Sequence, residues 1–277
     1  MDRSIGELAS RPVVSVEADA LVVDALKLMS ARRIGCLVVL LQGEPVGILT
    51  ERDVVFAANW VISQPSLRVR EVMSKPVLTA PAATSILDAY LLFRENGVRH
   101  LVVLDSWLEM DGVFTQTDLV RALRGPVFAE VPDVSSLMSS RVWHVSPDVT
   151  ARQALALMAS HAISGMVVVE GGKPVGVFTE RDVVRLVAAG VDLTQMPVSA
   201  VMTAPVVTIT PNATPGRAID MMRDHQVRRL LVVDQVGTLA GMLTQTDLSR
   251  ILENEEASLA DCFARAGVGR DRGAALH

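Results

Sequence analysis

The stretch Gly47-Ile48-Leu49-Thr50-Glu51-Arg52-Asp53 decides the fold of this chain, because a close copy of it is written four times. The copies end at Asp53, Asp118, Asp182 and Asp247, at spacings of 65, 64 and 65 residues, which is the fixed period of a repeat architecture. The first and third copies contain Thr-Glu-Arg-Asp, whereas the second and fourth contain Thr-Gln-Thr-Asp. A longer period of 129 residues therefore relates the two halves, and the sequence predicts two pairs of repeats.

The composition indicates a soluble protein with an aliphatic core. Half of the 277 residues are apolar and only 4% are aromatic, so the core is built from aliphatic side chains. The longest apolar run, Cys36 to Leu41, is far shorter than the ~18 residues of a membrane span, and the first residues lack the apolar segment of a signal peptide. A net charge of −5 disfavours a nucleic-acid surface. We therefore expect a cytoplasmic protein that binds neither membrane nor nucleic acid.

Each repeat predicts the order strand, helix, strand, strand, helix. In the first repeat, residues 13–16 form a short β-branched run, and residues 37–41 form a fully apolar run typical of a covered strand. Between them, apolar residues recur at helical spacing, namely Val22, Ala25, Leu26 and Met29. The last strand of each repeat ends at the repeated threonine, where the next helix starts. The predicted fold class is α/β, with four β-α-β-β-α repeats.

These repeats resemble the cystathionine β-synthase (CBS) domain family over residues 5–253. The resemblance rests on four copies of a Val-x-Thr-Val-x-Pro-like strand, a Leu-Val-Val-Asp-like strand and Gly-x-x-Thr-x-x-Asp. Members pair two domains into a Bateman module, which implies modules at 1–125 and 133–253 with Gly125-Pro126 and residues 131–133 as the linker. The layout is similar to that of the gamma subunit of AMP-activated protein kinase. The implied domains are residues 1–62, 67–125, 133–190 and 196–253, followed by a helical or disordered tail at 254–277.

The repeated threonine and aspartate allow two interpretations. In the first, they form a capping box at the start of a helix, with the threonine hydroxyl and the aspartate carboxylate satisfying backbone N–H groups. In the second, the carboxylate binds the two hydroxyls of a ribose, while the helix amides face an anionic group. A capping box usually has Glu or Gln at its third position, yet all four copies use aspartate. This preference favours the ligand interpretation.

The resemblance implies a role for each of these residues. In the CBS family the matching aspartate binds the ribose of an adenosine ligand, and the matching threonine contacts its ribose or phosphate. These roles are carried onto Asp53, Asp118, Asp182 and Asp247 and onto Thr50, Thr115, Thr179 and Thr244. Sugar contacts are implied for Ser15, Thr79 and Thr208, whereas His144 at the same place is expected to be an ordinary half-buried histidine. We expect about two of the four clefts to bind ligand.

The even repeats carry a basic pair just before the buried strand, Arg99-His100 and Arg228-Arg229. The odd repeats have small residues there. In the kinase gamma subunit, which the layout resembles, the corresponding groups reach nucleotide phosphates. Arginine suits this role because its planar fork binds phosphate oxygens in pairs. The alternative interpretation is a solvated basic turn, which the matched occurrence in both halves makes weaker.

The sequence contains none of the catalytic or metal-binding motifs that we sought, so we expect a protein that is not an enzyme. The leading hypothesis is a sensor that binds AMP, ADP or ATP as a regulatory ligand and signals through module packing. The alternatives are a ligand-free interaction scaffold and a sensor of S-adenosylmethionine, NAD or a cyclic dinucleotide. An effector protein or a lost C-terminal output domain is the expected partner. The assembly is expected to be a homodimer or a single-chain disc of four domains.

Overall fold

The computed structural model describes residues 3–123, 128 and 131–253. The predicted linker residues Gly125-Pro126 and the predicted tail from residue 254 lie outside this part of the chain. No helix of the described residues is long and apolar enough to cross a bilayer.

The first half of the chain contains two repeats with the same five elements. The first consists of β1 (Ser15–Glu17), α1 (Val22–Arg32), β2 (Cys36–Leu41), β3 (Glu44–Thr50) and α2 (Glu51–Ser63). The second consists of β4 (Thr79–Pro81), α3 (Ile86–Asn96), β5 (His100–Leu104), β6 (Met110–Thr115) and α4 (Gln116–Ala122).

The second half repeats this order. The third repeat consists of β7 (His144–Val145), α5 (Ala151–Ser160), β8 (Gly165–Glu170), β9 (Lys173–Thr179) and α6 (Glu180–Ala188). The fourth consists of β10 (Thr208–Ile209), α7 (Pro215–Asp224), β11 (Arg229–Val233), β12 (Leu239–Thr244) and α8 (Gln245–Ser249). The predicted order of elements and the α/β class are confirmed.

Each repeat folds into its own three-stranded sheet. In the first repeat Ser15 of β1 lies beside Val38 of β2 in a parallel pair, and Val38 lies beside Ile48 of β3 in an antiparallel pair. The parallel pair requires a crossover, which α1 supplies, whereas a tight turn joins the antiparallel pair. The other three sheets have the same topology. The third strand therefore delivers the repeated threonine to one end of every sheet.

Two repeats interlock to form each module. The segment before each first strand adds a short antiparallel bridge to the third strand of the other repeat, as Ser74 does with Ile48 and Thr203 with Val177. The glycine of the repeated phrase permits this approach. A Cβ on Gly47 would lie 2.6 Å from Met73 Sδ and 2.9 Å from the Ser74 carbonyl oxygen, closer than real Cβ contacts. The invariant glycine thus leaves room for the other half of the module.

The two modules pack odd repeat on odd repeat and even repeat on even repeat. One apolar cluster joins the first and third repeats, with α2 against α6, and includes Leu26, Val54 and Met158. A second cluster joins the second and fourth repeats, with α4 against α8, and includes Leu119 and Leu248. Because the helices that follow the repeated phrase form this contact, the phrase lies where all four repeats meet.

Candidate functional site

The repeated threonine and aspartate form a complete capping box at the start of α2. The hydroxyl of Thr50 accepts a hydrogen bond from the Asp53 backbone N–H at 3.3 Å, and Asp53 Oδ2 accepts one from the Thr50 N–H at 2.7 Å. The same box caps α4, α6 and α8. Both capping groups are satisfied without a ligand, so the capping interpretation of the sequence describes a contact that is present in all four repeats.

The second carboxylate oxygen of the odd aspartates faces the other repeat of the same module. Asp53 Oδ1 accepts a hydrogen bond from Ser74 Oγ at 2.7 Å, and Asp182 Oδ1 accepts one from Thr203 Oγ1 at 2.9 Å. Arg185 also donates to Asp182 Oδ1 at 3.2 Å. Each odd aspartate therefore joins a helix start to the wall of a cleft between two repeats.

The aspartates of the even repeats have different surroundings. Asp118 and Asp247 are buried behind Thr115 and Thr244. Burial raises the pKa of the Asp118 carboxyl above its ordinary value, against the hydrogen bonds from Thr115 that lower it. Asp247 Oδ1 lies 3.4 Å from Arg250 Nη1. Among the described residues, no hydroxyl of the other repeat hydrogen-bonds the Oδ1 atom of an even aspartate, unlike that of the odd ones.

Two matched clefts bring the threonine and the basic pair together, one in each module. Thr50, Asp53, Arg99 and His100 line the cleft of the first module, which has a volume of about 100 Å³. The cleft of the second module has a volume of about 170 Å³ and is lined by Thr179, Arg228 and Arg229, 129 positions further on. Asp182, the match of Asp53, does not line this cleft itself but binds Thr203, which does. Each cleft sets a helix start of an odd repeat opposite the basic pair of an even repeat.

One wall of each cleft is apolar. Pro76, Val77 and Leu78 precede β4 and line the first cleft. The corresponding stretch before β10 lines the second, namely Pro205, Val206 and Val207. Each cleft therefore combines an apolar wall, a hydroxyl-bearing helix start and cationic groups, which is the mixture that a flat heterocycle with a polar anionic tail requires.

The first residue of each basic pair is an arginine that is bound to a buried glutamate of the other module. Arg228 Nη2 lies 2.6 Å from Glu51 Oε2, and Arg99 Nη2 lies 2.9 Å from Glu180 Oε2. Burial alone would raise the pKa of Glu51, but the charges of Arg228 and Arg181 outweigh it and hold that pKa below its ordinary value. Two groups predicted to bind phosphate are therefore already paired across the contact between modules.

The odd repeats also pair directly with each other through the second and third residues of Thr-Glu-Arg-Asp. Arg181 Nε lies 3.0 Å from Glu51 Oε1, and Arg52 Nε lies 3.4 Å from Glu180 Oε1. Each glutamate thus accepts hydrogen bonds from two arginines of the other module, one in each of its repeats. No single motif predicts these four residues as a contact, although the alternation of Glu-Arg with Gln-Thr was the available signal.

The even repeats replace these ion pairs with neutral hydrogen bonds. Thr117 Oγ1 donates to Gln245 Oε1 at 2.8 Å, and Thr246 Oγ1 donates to Gln116 Oε1 at 3.2 Å. Glu-Arg pairs with Glu-Arg and Gln-Thr pairs with Gln-Thr, so each dipeptide complements its own copy. Packing an odd repeat on an even one would leave buried charges without partners, which costs free energy. The 129-residue period therefore specifies how the modules meet.

The second members of the basic pairs differ in charge. Arg229 Nη2 donates to the Ser164 carbonyl oxygen at 3.0 Å and to Ser164 Oγ at 3.2 Å. His100 occupies the matched position in the first module, and burial together with the charges of Arg99 and Arg228 lowers its pKa to about 3. At pH 7 the first cleft therefore presents a neutral imidazole where the second presents a guanidinium. Thr115 and Thr244 lie with both basic pairs around a central cavity of about 70 Å³.

The three residues with implied sugar contacts and His144, which occupies the same place in the third repeat, begin the first strands of the repeats. Thr79 and Thr208 are exposed and follow the cleft walls by one residue, and Ser15 is half-buried in a groove beside Arg11 and Asp111. His144 was expected to be half-buried, and that prediction is wrong. It is exposed on the outer side of a two-residue strand, with Nδ1 3.1 Å from the Val142 carbonyl oxygen.

Comparison with known proteins agrees with this architecture. The family described as "CBS domain" matches residues 5–59, 69–125, 134–189 and 198–254. The CBS domain-containing protein YhcV of Bacillus subtilis is 39% identical over 129 residues, which are 46% of this chain and 91% of YhcV. The uncharacterized protein MJ1404 of Methanocaldococcus jannaschii is 32% identical over 206 residues, 73% of this chain, and the match spans about half (48%) of that relative's length.

A solved structure has the same overall fold. Protein MJ1225 of Methanocaldococcus jannaschii, described as a candidate archaeal homologue of γ-AMPK, superposes with a TM-score of 0.78. The superposition covers 89% of this chain and 99% of MJ1225 at 19% sequence identity. The likeness extends over four repeats, in agreement with the arrangement in two Bateman modules.

Proposed function

The chain belongs to the CBS domain family, and on this premise we propose that it is a non-enzymatic regulatory protein that binds AMP, ADP or ATP in the clefts of its two modules. The observation that carries the proposal is the matched pair of clefts. In each cleft, the helix start of an odd repeat faces the basic pair of an even repeat, and apolar residues form a further wall. A binding motif within one repeat would not require the basic pair of another repeat to lie beside it. In both modules two repeats contribute to the cleft, at the same spacing in sequence.

The parts of an adenine nucleotide have complementary groups in these clefts. The apolar stretch before β4 or β10 suits the base, and the Oδ1 atom of Asp53 or Asp182 suits the ribose hydroxyls. A hydroxyl of the ribose would take the place of the Ser74 or Thr203 hydroxyl on Oδ1, while Oδ2 keeps its capping contact. The arginines would bind the phosphate through charge-assisted hydrogen bonds.

The arginine pairs provide a route from ligand binding to module packing. A phosphate in the second cleft would compete with Glu51 for Arg228, because Arg228 lines this cleft and its Nη2 lies 2.6 Å from Glu51 Oε2. Turning Arg228 toward the phosphate weakens a contact between the modules and leaves Glu51 with Arg181 alone. Ligand binding then shifts the equilibrium between packing arrangements by the difference in affinity for them. An effector protein or output domain, in the cytoplasm, would respond to this shift.

A ligand-free interaction scaffold is the second candidate function. The observation that favours it is that all four capping boxes are complete without a ligand. Recognition of S-adenosylmethionine, NAD or a cyclic dinucleotide would use the same clefts, and a sulfonium ligand would make little use of two arginines.

A thermal melt with added nucleotide distinguishes the candidates. AMP or ATP at about 100 times its dissociation constant should add about 2.7 kcal/mol to the free energy of unfolding, whereas GTP at the same concentration should add much less. Equal shifts with adenine and guanine nucleotides would contradict an adenine cleft. The absence of a shift with every adenosine compound would favour the scaffold.

A further inference from the structure

The two clefts differ most in the residue that follows the paired arginine. Positions 100 and 229 are related by the 129-residue period, and they hold His100 in the first module and Arg229 in the second. Both residues begin the central strand of their sheet, and both line their cleft. The two clefts share their threonine, apolar wall and first arginine, although Glu51 and Glu180 of the contact between modules line only the second. Within the basic pair, the two clefts differ by the change from histidine to arginine.

Arg229 differs from the other arginines of the basic pairs because no carboxylate contacts it directly. Arg99 and Arg228 are each paired with a buried glutamate of the other module. In the part of the chain that the structure describes, no carboxylate lies within ion-pair distance of Arg229, whose Nη2 donates only to the carbonyl and hydroxyl oxygens of Ser164. Burial and the charge of Arg228 lower its pKa to about 10, against the charges of Glu180 and Glu51, which raise it, and Arg229 is protonated at pH 7. The second cleft thus holds a guanidinium that forms no direct ion pair.

A second position explains why the two modules differ. Gly165 begins β8 beside Arg229, and a Cβ built on this glycine would overlap Arg229 Nη1. The matched residue in the first module is Cys36, which carries a side chain where Gly165 has none. By the same geometry an arginine at position 100 would crowd Cys36, whereas an imidazole is shorter. The pairs Gly165 with Arg229 and Cys36 with His100 therefore belong together.

We infer that these two pairs set how many phosphates each cleft accepts, so that both modules bind the monophosphate and only the second module also binds nucleoside di- and triphosphates tightly. The inference rests on the proposed function and assigns a ligand class to each of its sites. One phosphate can be bound by the first arginine of the basic pair, which is Arg99 in the first cleft and Arg228 in the second. The further phosphates of ADP or ATP need another cation inside the cleft, and only the second cleft supplies one that is not already bound to a carboxylate.

The stoichiometry of tight ATP binding tests this division by calorimetric titration. The unmodified chain should bind two equivalents of AMP but only one equivalent of ATP tightly, with any second ATP at least tenfold weaker, as expected for the loss of one charge-assisted hydrogen bond. Two equivalents of ATP bound with equal affinity would overturn the inference and leave the proposed function standing. No heat with AMP, ADP or ATP would overturn both.

Exchanging the pairs between modules supplies matched variants. G165C/R229H gives the second module the residues of the first, and it should abolish the tight ATP equivalent. C36G/H100R makes the opposite change and should raise tight ATP binding from one equivalent to two. H100R with Cys36 retained should leave the number at one, because the arginine has no space.

The two exchanges keep the test decisive if one variant is unstable. Thermal melts establish which variants are folded, and C36G/H100R removes a side chain rather than crowding one into a contact. A folded C36G/H100R chain that still binds one tight equivalent of ATP would overturn the assignment of specificity to these positions. A folded G165C/R229H chain that keeps its tight ATP equivalent would do the same.

Discussion

Glu51 and Arg228 are 177 residues apart in sequence and belong to different modules, yet Arg228 Nη2 donates to Glu51 Oε2 at 2.6 Å. The same glutamate accepts from Arg181 Nε at 3.0 Å. One buried carboxylate therefore holds an arginine of a cleft and an arginine of the contact between modules. This shared partner is the physical link between the candidate ligand site and the packing of the two halves.

Glu51→Gln should lower the free energy of unfolding and strengthen nucleotide binding. The substitution leaves Arg228 and Arg181 without a carboxylate, and we expect a loss of about 2 kcal/mol, below the ~3–5 kcal/mol for removing one partner of a buried pair because glutamine still accepts hydrogen bonds. Arg228 becomes free for phosphate, so AMP should bind more tightly. Urea denaturation and calorimetry measure the two effects.

Asp24→Asn is the control for that variant. Asp24 forms an exposed ion pair with Lys27 at 3.3 Å, and such pairs contribute about 0–1 kcal/mol. It should change neither nucleotide affinity nor, by more than this amount, stability. Weaker AMP binding in folded E51Q would argue against competition between phosphate and Glu51 for Arg228.

His100 should make stability depend on pH below neutrality. The unfolded chain takes up a proton at this residue near pH 6.5, whereas the folded chain does so only near pH 3, since its pKa is lowered by burial and by nearby arginines. The unfolded state therefore binds more protons between these values, and stability is lost as pH falls, by at most about 1.4 kcal/mol per pH unit. His100→Gln should reduce this slope in urea denaturation from pH 7 to 4.5.

The comparison for the pH experiment is made well above the ordinary pKa of histidine, where the wild type and H100Q should differ in stability by a constant amount. An identical slope in the wild type and H100Q would show that His100 is not held neutral in the folded chain.

Ribose and phosphate contacts should be separable by mutation. Asp182→Ala should weaken AMP and adenosine alike by about one to two orders of magnitude at the second cleft, because a charge-assisted hydrogen bond contributes ~1.5–3 kcal/mol. R228A/R229A should weaken AMP much more than adenosine. Calorimetric titration of folded variants measures both ratios, and a loss of adenosine binding equal to that of AMP in R228A/R229A would refute the phosphate assignment.

The glycine of the repeated phrase should resist substitution. Gly47→Ala places a Cβ 2.6 Å from Met73 Sδ and 2.9 Å from the Ser74 carbonyl oxygen, and relieving this crowding should cost about 1–3 kcal/mol. Gly216→Ala is the matched control, since a Cβ at this position of α7 would meet no atom within 4 Å outside its own turn of helix, and it should stabilise by about 0.5–1 kcal/mol. Thermal melts compare the two, and equal melting temperatures would contradict the close approach between repeats.

The sequence predicts much of the fold because the repeat is regular. The stripe at Val22, Ala25, Leu26 and Met29 is buried in α1 as its spacing predicts, and the helix after Thr50 starts at Glu51. Local patterns determine these features, since apolar periodicity and caps act within one element. The burial of His144 was mispredicted because a two-residue strand leaves its outer face in solvent.

The contact between modules could not be predicted in the same way. Glu51 and Arg181 meet only after four domains have folded, so no local pattern predicts their pairing. The alternation of Glu-Arg with Gln-Thr carried this information, but it becomes interpretable only once the packing of odd on odd repeats is known. Likewise, the ion pair between Arg228 and Glu51 depends on tertiary structure. Because of it, a residue predicted to bind phosphate already has a carboxylate partner.

Native mass spectrometry of the chain titrated with AMP reports ligand mass and stoichiometry together, and so tests whether the two clefts bind adenine nucleotides. We expect a species with two AMP molecules per chain, the loss of one molecule in D53A or D182A, and no corresponding species with GMP. Absence of any AMP-bound species, or equal binding of GMP, would contradict the assignment of the two clefts to adenine nucleotides.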